Sequence, residues 1–217
     1  MTMQHHCTMN KLPLLVCCLC MSLLSAGAQV RFDDEEFALG IRSGAVLSSV
    51  GFHPQVIQQQ RLGLTGGLTF RYYGEKNLGI QVETNYVQKG WREIDTAYSR
   101  CLNYVEIPLL SHFFFGKGIF RWFFNIGPQI SFLINSKSTE SLTTAPQHTE
   151  PVHRRFDYGV TGGTGFEFNT RRAGIYQLEA RYAFGFGDFF DNSTAAAFTQ
   201  SKHRTIMLTL GILFNLK

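Results

Sequence analysis

The chain has 217 residues, a formal net charge of +4 and 17% charged residues. So small and scattered a charge excludes binding nucleic acid through a basic face. Its 20 Phe, 8 Tyr and 2 Trp exclude an intrinsically disordered chain, and the length fits one domain.

The first element is an address. Lys11 precedes the apolar run Leu12–Leu24, and Ser25-Ala26-Gly27-Ala28 follows. A positive start, an apolar core and an Ala-x-Ala site read as a secretory signal over 1–28, removed after Ala28. Met9 serves that signal as well as Met1 does. The run is too short for a membrane-spanning helix, which needs about 20 apolar residues. Cys7, Cys17, Cys18 and Cys20 leave with the signal, and no Cys follows the cleavage region to accept a lipid. Cys101 then has no partner for an intramolecular disulfide. Residues 29–36, with Asp33, Asp34, Glu35 and Glu36, are expected to form a short acidic periplasmic lead.

From residue 37 the hydrophobicity alternates with period two, the signature of strands. Phe37, Leu39, Ile41, Ser43, Ala45 and Leu47 share one face, with Ala38, Gly40, Arg42, Gly44 and Val46 opposite. Next come Leu62, Leu64, Leu68, Phe70 and Tyr72 against Gly63, Thr65, Gly67, Thr69 and Arg71. The third segment sets Leu78, Ile80, Val82, Thr84 and Tyr86 against Gly79, Gln81, Glu83 and Asn85. The fourth sets Val105, Ile107, Leu109, Ser111, Phe113 and Phe115 against Tyr104, Glu106, Pro108 and His112. The fifth runs Phe120, Trp122, Phe124, Ile126, Pro128, Ile130, Phe132, Ile134. The sixth carries Phe156, Tyr158, Val160, Phe166 and Phe168, and the seventh Tyr176, Leu178, Ala180, Tyr182, Phe184 and Phe186. The last carries Ile206, Leu208, Leu210, Ile212 and Phe214.

These eight segments are each about ten residues long, the length of a tilted membrane strand. The apolar parity, about 50 positions, holds no Asp, Glu, Lys or Arg. The connections alternate. Residues 48–60, 89–101, 135–155 and 187–203 are long, while 74–77, 116–118 and 169–174 are short. Outer-membrane barrels pair short periplasmic turns with long outer loops. The rival is a secreted soluble barrel of lipocalin type with its apolar face inside. Volume disfavours it, because eight strands enclose a space that ordinary side chains already fill. The aromatics also sort into two girdles. Tyr72, Phe120, Trp122, Phe168, Tyr176 and Phe214 fall at the short-turn side. Tyr86, Phe132, Tyr158 and Phe186 fall at the long-loop side. The expected fold is therefore all-β: an eight-stranded antiparallel up-and-down transmembrane barrel over 37–217, with both termini periplasmic.

Tyr104-Val-Glu-Ile-Pro-Leu-Leu110 stands on the fourth strand, with Tyr104, Glu106 and Pro108 as its marks. Tyr86-Val-Gln-Lys-Gly90 precedes it, and Asn125-Ile-Gly-Pro128 and the glycine-rich 159–165 follow. As a set these resemble the PorT-like outer membrane β-barrel family, often labelled porin-like, over almost all of 37–217. The resemblance implies a Gram-negative outer membrane location and an eight-stranded barrel. Its named member serves the type IX secretion and gliding system. The last residues, Phe214-Asn-Leu-Lys217, depart from the terminal aromatic of many such barrels.

The inward parity collects Arg42, Arg71, Lys89, Arg121 and Arg181 with Glu83, Glu106, Asp157, Glu167 and Glu179. Charges removed from water must be paired, so a network plugging the lumen is expected, with a selective channel as the alternative. Glu106 stands out beside Pro108, with Arg42 and Arg181 as candidate partners. Catalysis would need a nucleophile and a base together. Ser111 and His112 are adjacent on a strand and so face opposite ways. Asp157 and His153 could pair, but no serine is placed with them, and His53, His148 and His203 fall in or beside outer loops. Gly162–Gly165 opens no helix and so is not a phosphate loop. Cys101 is expected in an outer loop, and Asp95-Thr96-Ala97 resembles a bacterial O-glycan acceptor. No metal or cofactor site is expected. The expected protein is a monomeric, non-enzymatic barrel in contact with outer membrane lipids. Its partners would be periplasmic or secretion-system proteins. The alternatives are an accessory of type IX secretion, a narrow porin-like channel and, remotely, a lipid-modifying enzyme.

Overall fold

The computed structural model describes residues 36–53, 58–93, 98–116, 118–138, 155–170, 174–187 and 200–216. The signal, most of the acidic lead, the Asp95-Thr96-Ala97 triplet, His148 and His153 lie outside them.

Eight strands follow in chain order: β1 (Glu36–His53), β2 (Gln58–Glu75), β3 (Leu78–Glu93), β4 (Ser99–Phe115), β5 (Phe120–Ser138), β6 (Phe156–Thr170), β7 (Gly174–Gly185) and β8 (Gln200–Leu216). Each pairs antiparallel with its sequence neighbour, and β1 pairs with β8 to close the barrel. The start of β1 and the end of β8 lie at the same end as the connections 76–77, 116–119 and 171–173, here called the turn end. The other is the loop end.

The strands overrun their expected bounds at the loop end. The expected long connections 48–60 and 89–101 are mostly strand, with 54–57 and 94–98 left between strands. There Gln58, Gln59 and Gln60 pair in register with Glu93, Arg92 and Trp91. Hydrophobic alternation stops where the apolar band stops. Backbone N–H and C=O groups still need partners, and continued pairing supplies them whatever the side chains are.

The faces follow the sequence parity in every strand. Leu62 and Leu64 on β2 are 67% and 65% exposed, while Arg71 on the same strand is 0% exposed. An open leucine with a closed arginine inverts a soluble protein and rules out the lipocalin arrangement. All ten girdle aromatics named above stand on the outward face, Tyr72 half-buried and the rest exposed.

The interior is layered. At the turn end Ala38, Tyr73, Phe114, Phe123, Ile175 and Leu213 form an apolar floor. Val46, Val87, Ala183 and Met207 form a second apolar cluster nearer the loop end. The polar and charged residues lie chiefly between and around these clusters.

Candidate functional site

The inward positions of β1, β3 and β7 carry Arg42, Glu83, Glu179 and Arg181, all buried. In an eight-stranded ring β3 and β7 stand opposite one another, so their side chains meet across the lumen. Arg181 grips Glu83 with both terminal nitrogens, Nη1 to Oε2 at 2.7 Å and Nη2 to Oε1 at 2.8 Å. The same guanidinium donates to Glu179, from Nε at 3.0 Å and from Nη2 at 2.9 Å. Arg42 pairs with Glu83 and reaches Glu179 at 2.9 Å. Two cations and two anions therefore close on each other. Asn85, Gln81 and Gln177 donate to these carboxylates as well, and Asn125 donates to Glu179 at 3.0 Å.

A second strut lies toward the turn end. Arg71 on β2 pairs with Glu167 on β6, again from opposite walls. Its Nε donates to Gln81 at 2.7 Å, Nη1 to the Tyr73 hydroxyl at 2.9 Å and Nη2 to Gln177 at 2.9 Å. His112 lies between strut and floor. Its Nδ1 is 2.7 Å from Asn125 Oδ1, its Nε2 is 3.7 Å from Glu167, and its ring stacks on Phe114 at 5.5 Å. Ser111 faces outward, as strand alternation requires.

A third pair lies toward the loop end, where Lys89 meets Glu106 and sits 5.3 Å from the centre of the Tyr104 ring. The marks of the fourth-strand motif, Tyr104 and Glu106, therefore share one cation. Asp157 accepts a hydrogen bond from the Gly187 N–H at 3.1 Å, which ties the end of β7 to β6.

Eight of the ten expected lumen charges are ion-paired in these groups. Three expectations change. Glu106 belongs to Lys89, while Arg42 and Arg181 belong to Glu83 and Glu179. Arg121 joins none of these pairs; it is half-buried with its guanidinium 5.2 Å over the Phe114 ring. Cys101 lies in β4 rather than in a loop, with Sγ 3.5 Å from Asn103 Oδ1. The sequence reading also missed His112, Asn125, Gln81 and Gln177 as network members. Their signal was present as polar residues at inward parity, but formal charge alone does not select them. Gly162–Gly165 lies inside β6, as expected. A Cβ on Gly163 would fall 2.5 Å from Glu179 Oε1, so the glycine leaves room for the carboxylate. Among the described residues no group of His, Cys, Asp and Glu has the arrangement of a metal site.

A closed eight-stranded barrel with an apolar exterior and an ion-paired interior agrees with the sequence profile that this chain matches over residues 27–191, that of the outer membrane protein beta-barrel domain. The chain belongs to that family. Membership places this family's barrel in the bacterial outer membrane. A comparison with curated protein sequences returns no match. Among solved structures, Neisserial surface protein A (NspA) aligns over 84% of this chain and 100% of its own, with a TM-score of 0.50 at 9% identity. Ail, the attachment invasion locus protein of Yersinia pestis, crystallised with the heparin analogue sucrose octasulfate, aligns over 82% and 99%, with a TM-score of 0.44 at 16% identity. The outer membrane enzyme PagL aligns over 80% and 98%, with a TM-score of 0.46 at 12% identity. At such identities the likeness is one of fold.

Proposed function

We propose that this outer membrane barrel is non-enzymatic and non-conducting, and that it acts as a structural or interaction protein. The observation that carries the reading is the pair of struts across the lumen, Arg181–Glu83 and Arg71–Glu167, stacked above an apolar floor. Charges lining a conducting path keep water on one side. These eight are turned on each other, and the interior of an eight-stranded barrel is narrow enough for side chains to fill it. Planar-bilayer recordings test this: silence is expected, and discrete single-channel steps would overturn the reading.

In this reading 1–28 is a cleaved signal and 29–36 a periplasmic lead. The turn end faces the periplasm, as short turns do in outer-membrane barrels. The long connections, above all that expected over 135–155, most of which lies outside the described residues, would then offer the outer binding surface. Membrane fractionation with heat-modifiable gel mobility tests the placement. His112 is bound to Asn125 and stacked among aromatic rings rather than set beside a serine hydroxyl, which supports a non-enzymatic role. The Tyr104–Leu110 motif supports a second reading from its PorT-like resemblance, service to a type IX secretion or gliding apparatus. Normal cargo secretion in a deletion strain would end that reading.

A further inference from the structure

The outward face of the barrel loses bulk where β6 and β7 meet. On β6 and β7 the outward positions Gly162, Thr164 and Ala180 carry little side chain. Trp122 and Phe124 of β5 rise on one side of them, Tyr182 and Ile206 on the other. Register sets Phe124 beside Thr164, Thr164 beside Ala180, and Gly162 between Ile126 and Tyr182. The result is a groove of about 520 Å³ in the lipid-facing wall, within the ~300–1,000 Å³ range of small-molecule sites.

The backbone does not require this dent. Gly162 is not among the glycines with positive φ, and a Cβ there would meet no atom closer than 3.6 Å. Its neighbour Gly163 has no such room. The missing side chain at 162 therefore creates space rather than relieving a clash. Thr164, on the floor, turns its hydroxyl into the sheet and donates to the Phe123 carbonyl at 2.9 Å. The groove is left with carbon surface.

A cation stands at its loop-end mouth. Arg204 is exposed on the same outward face of β8, two residues from Ile206. It is paired in register with Phe184, itself two residues from Tyr182. Two residues along a strand are about 7 Å. An arginine there can lay its stem on apolar surface and offer its fork to a phosphoryl group.

We propose that the groove holds one acyl chain of a phosphorylated glycolipid of the outer leaflet, with a phosphate of that lipid on Arg204. The inference rests on the membrane reading above, with the loop end outward, because that end meets the leaflet whose lipid carries phosphate on a sugar head. A second barrel fits less well. A standard interface buries about 800 Å² on each partner, whereas this groove lies between the ridges of Trp122 and Tyr182. Two convex barrels would touch on those ridges and leave it empty. Inside a bilayer no hydrophobic force drives association, so close packing decides what binds. A chain-width dent is where packing can be gained.

Native mass spectrometry of the full-length protein purified in detergent tests the proposal. It is titrated with a phosphorylated acyl disaccharide, the same lipid without phosphate, and phosphatidylglycerol. Wild type is expected to take one phosphorylated glycolipid in preference to the other two. Gly162→Leu fills the groove, and its occupancy should fall about tenfold. Arg204→Gln should bind the two glycolipid forms alike. Equal occupancy of wild type and Gly162→Leu overturns the proposal, as does a preference for phosphatidylglycerol. Heat-modifiable mobility of each protein is read in parallel. Normal mobility with unaltered lipid binding sinks this inference alone, whereas wild type lacking both mobility shift and membrane fractionation sinks the membrane reading.

Discussion

Arg181 and Glu83 meet across the width of the barrel through two hydrogen bonds of 2.7 and 2.8 Å, although 98 residues separate them in sequence. The pair binds the wall of β7 to the wall of β3. It also shares its partners, since Arg42 touches Glu83 and Glu179, and Glu179 touches Arg181. Removing one member therefore strands charge at more than one place.

Glu83→Gln leaves Arg42 and Arg181 sharing Glu179 alone. Breaking a buried pair by removing one partner costs about 3–5 kcal/mol. Urea unfolding of the folded barrel should show a lower midpoint with an unchanged slope. Replacing both partners, Glu83→Leu with Arg181→Met, should recover much of the loss, because no charge of this pair is then left alone. A double substitution that costs the sum of the two singles would show that the strut is not a coupled unit.

The floor makes a separate prediction. Phe123 is 0% exposed, packed with the other floor residues and 5.4 Å from the His112 ring. Phe123→Ala should destabilise the barrel by about 3–5 kcal/mol, a typical cost for deleting a buried aromatic ring. The same unfolding measurement checks it, and a loss below ~1 kcal/mol would mean that the floor collapses around the gap.

Sidedness is tested from outside. Leu208 lies on the outward face between Arg204 and Phe214 and is 56% exposed. In a membrane barrel Leu208→Arg should cost about 2–4 kcal/mol near the bilayer midplane. Folding into lipid vesicles followed by denaturant titration reads this directly. A neutral outcome would mean that the face meets water.

Two adjacent glycines should respond unequally. A Cβ on Gly163 meets Glu179 Oε1 at 2.5 Å and the Ala180 carbonyl oxygen at 3.0 Å. Gly163→Val must push Glu179 away from its arginines, with an overpacking cost of about 1–3 kcal/mol. Gly162→Ala meets nothing within 3.5 Å and should stay within about 0.5 kcal/mol of wild type, as surface changes do. The fraction of heat-modifiable barrel after refolding separates the two variants.

The faces of all eight strands were legible in the sequence, since side chains alternate with period two and that parity is local. Arg42, Glu83, Glu179 and Arg181 could be placed inside from their neighbours alone. Which of them touch could not be read. Their separations in sequence reach 137 residues, for Arg42 and Glu179, and their heights depend on the register of every pair around the ring. For that reason Arg42 and Arg181 stand in the sequence only as candidate partners of Glu106, which meets Lys89 instead, and Arg121, inward by parity, lies over Phe114 rather than in an ion pair with the other lumen charges. Strand ends were missed for a different reason. Beyond the apolar band the Gln58–Gln60 stretch carries no hydrophobic alternation, yet its backbone still pairs with β3.

Length, composition and alternation by themselves determined that this is a barrel with a greasy exterior and charges inside. Those properties follow from each residue's own chemistry and its immediate neighbours. Closure decided the rest. Bringing β1 to β8 sets β2 against β6 and β3 against β7, and only then do eight of the ten scattered charges resolve into ion pairs. The groove at Gly162 likewise exists only when β5 and β8 stand on either side of it. A small residue leaves a binding surface only where the register has raised large ones around it.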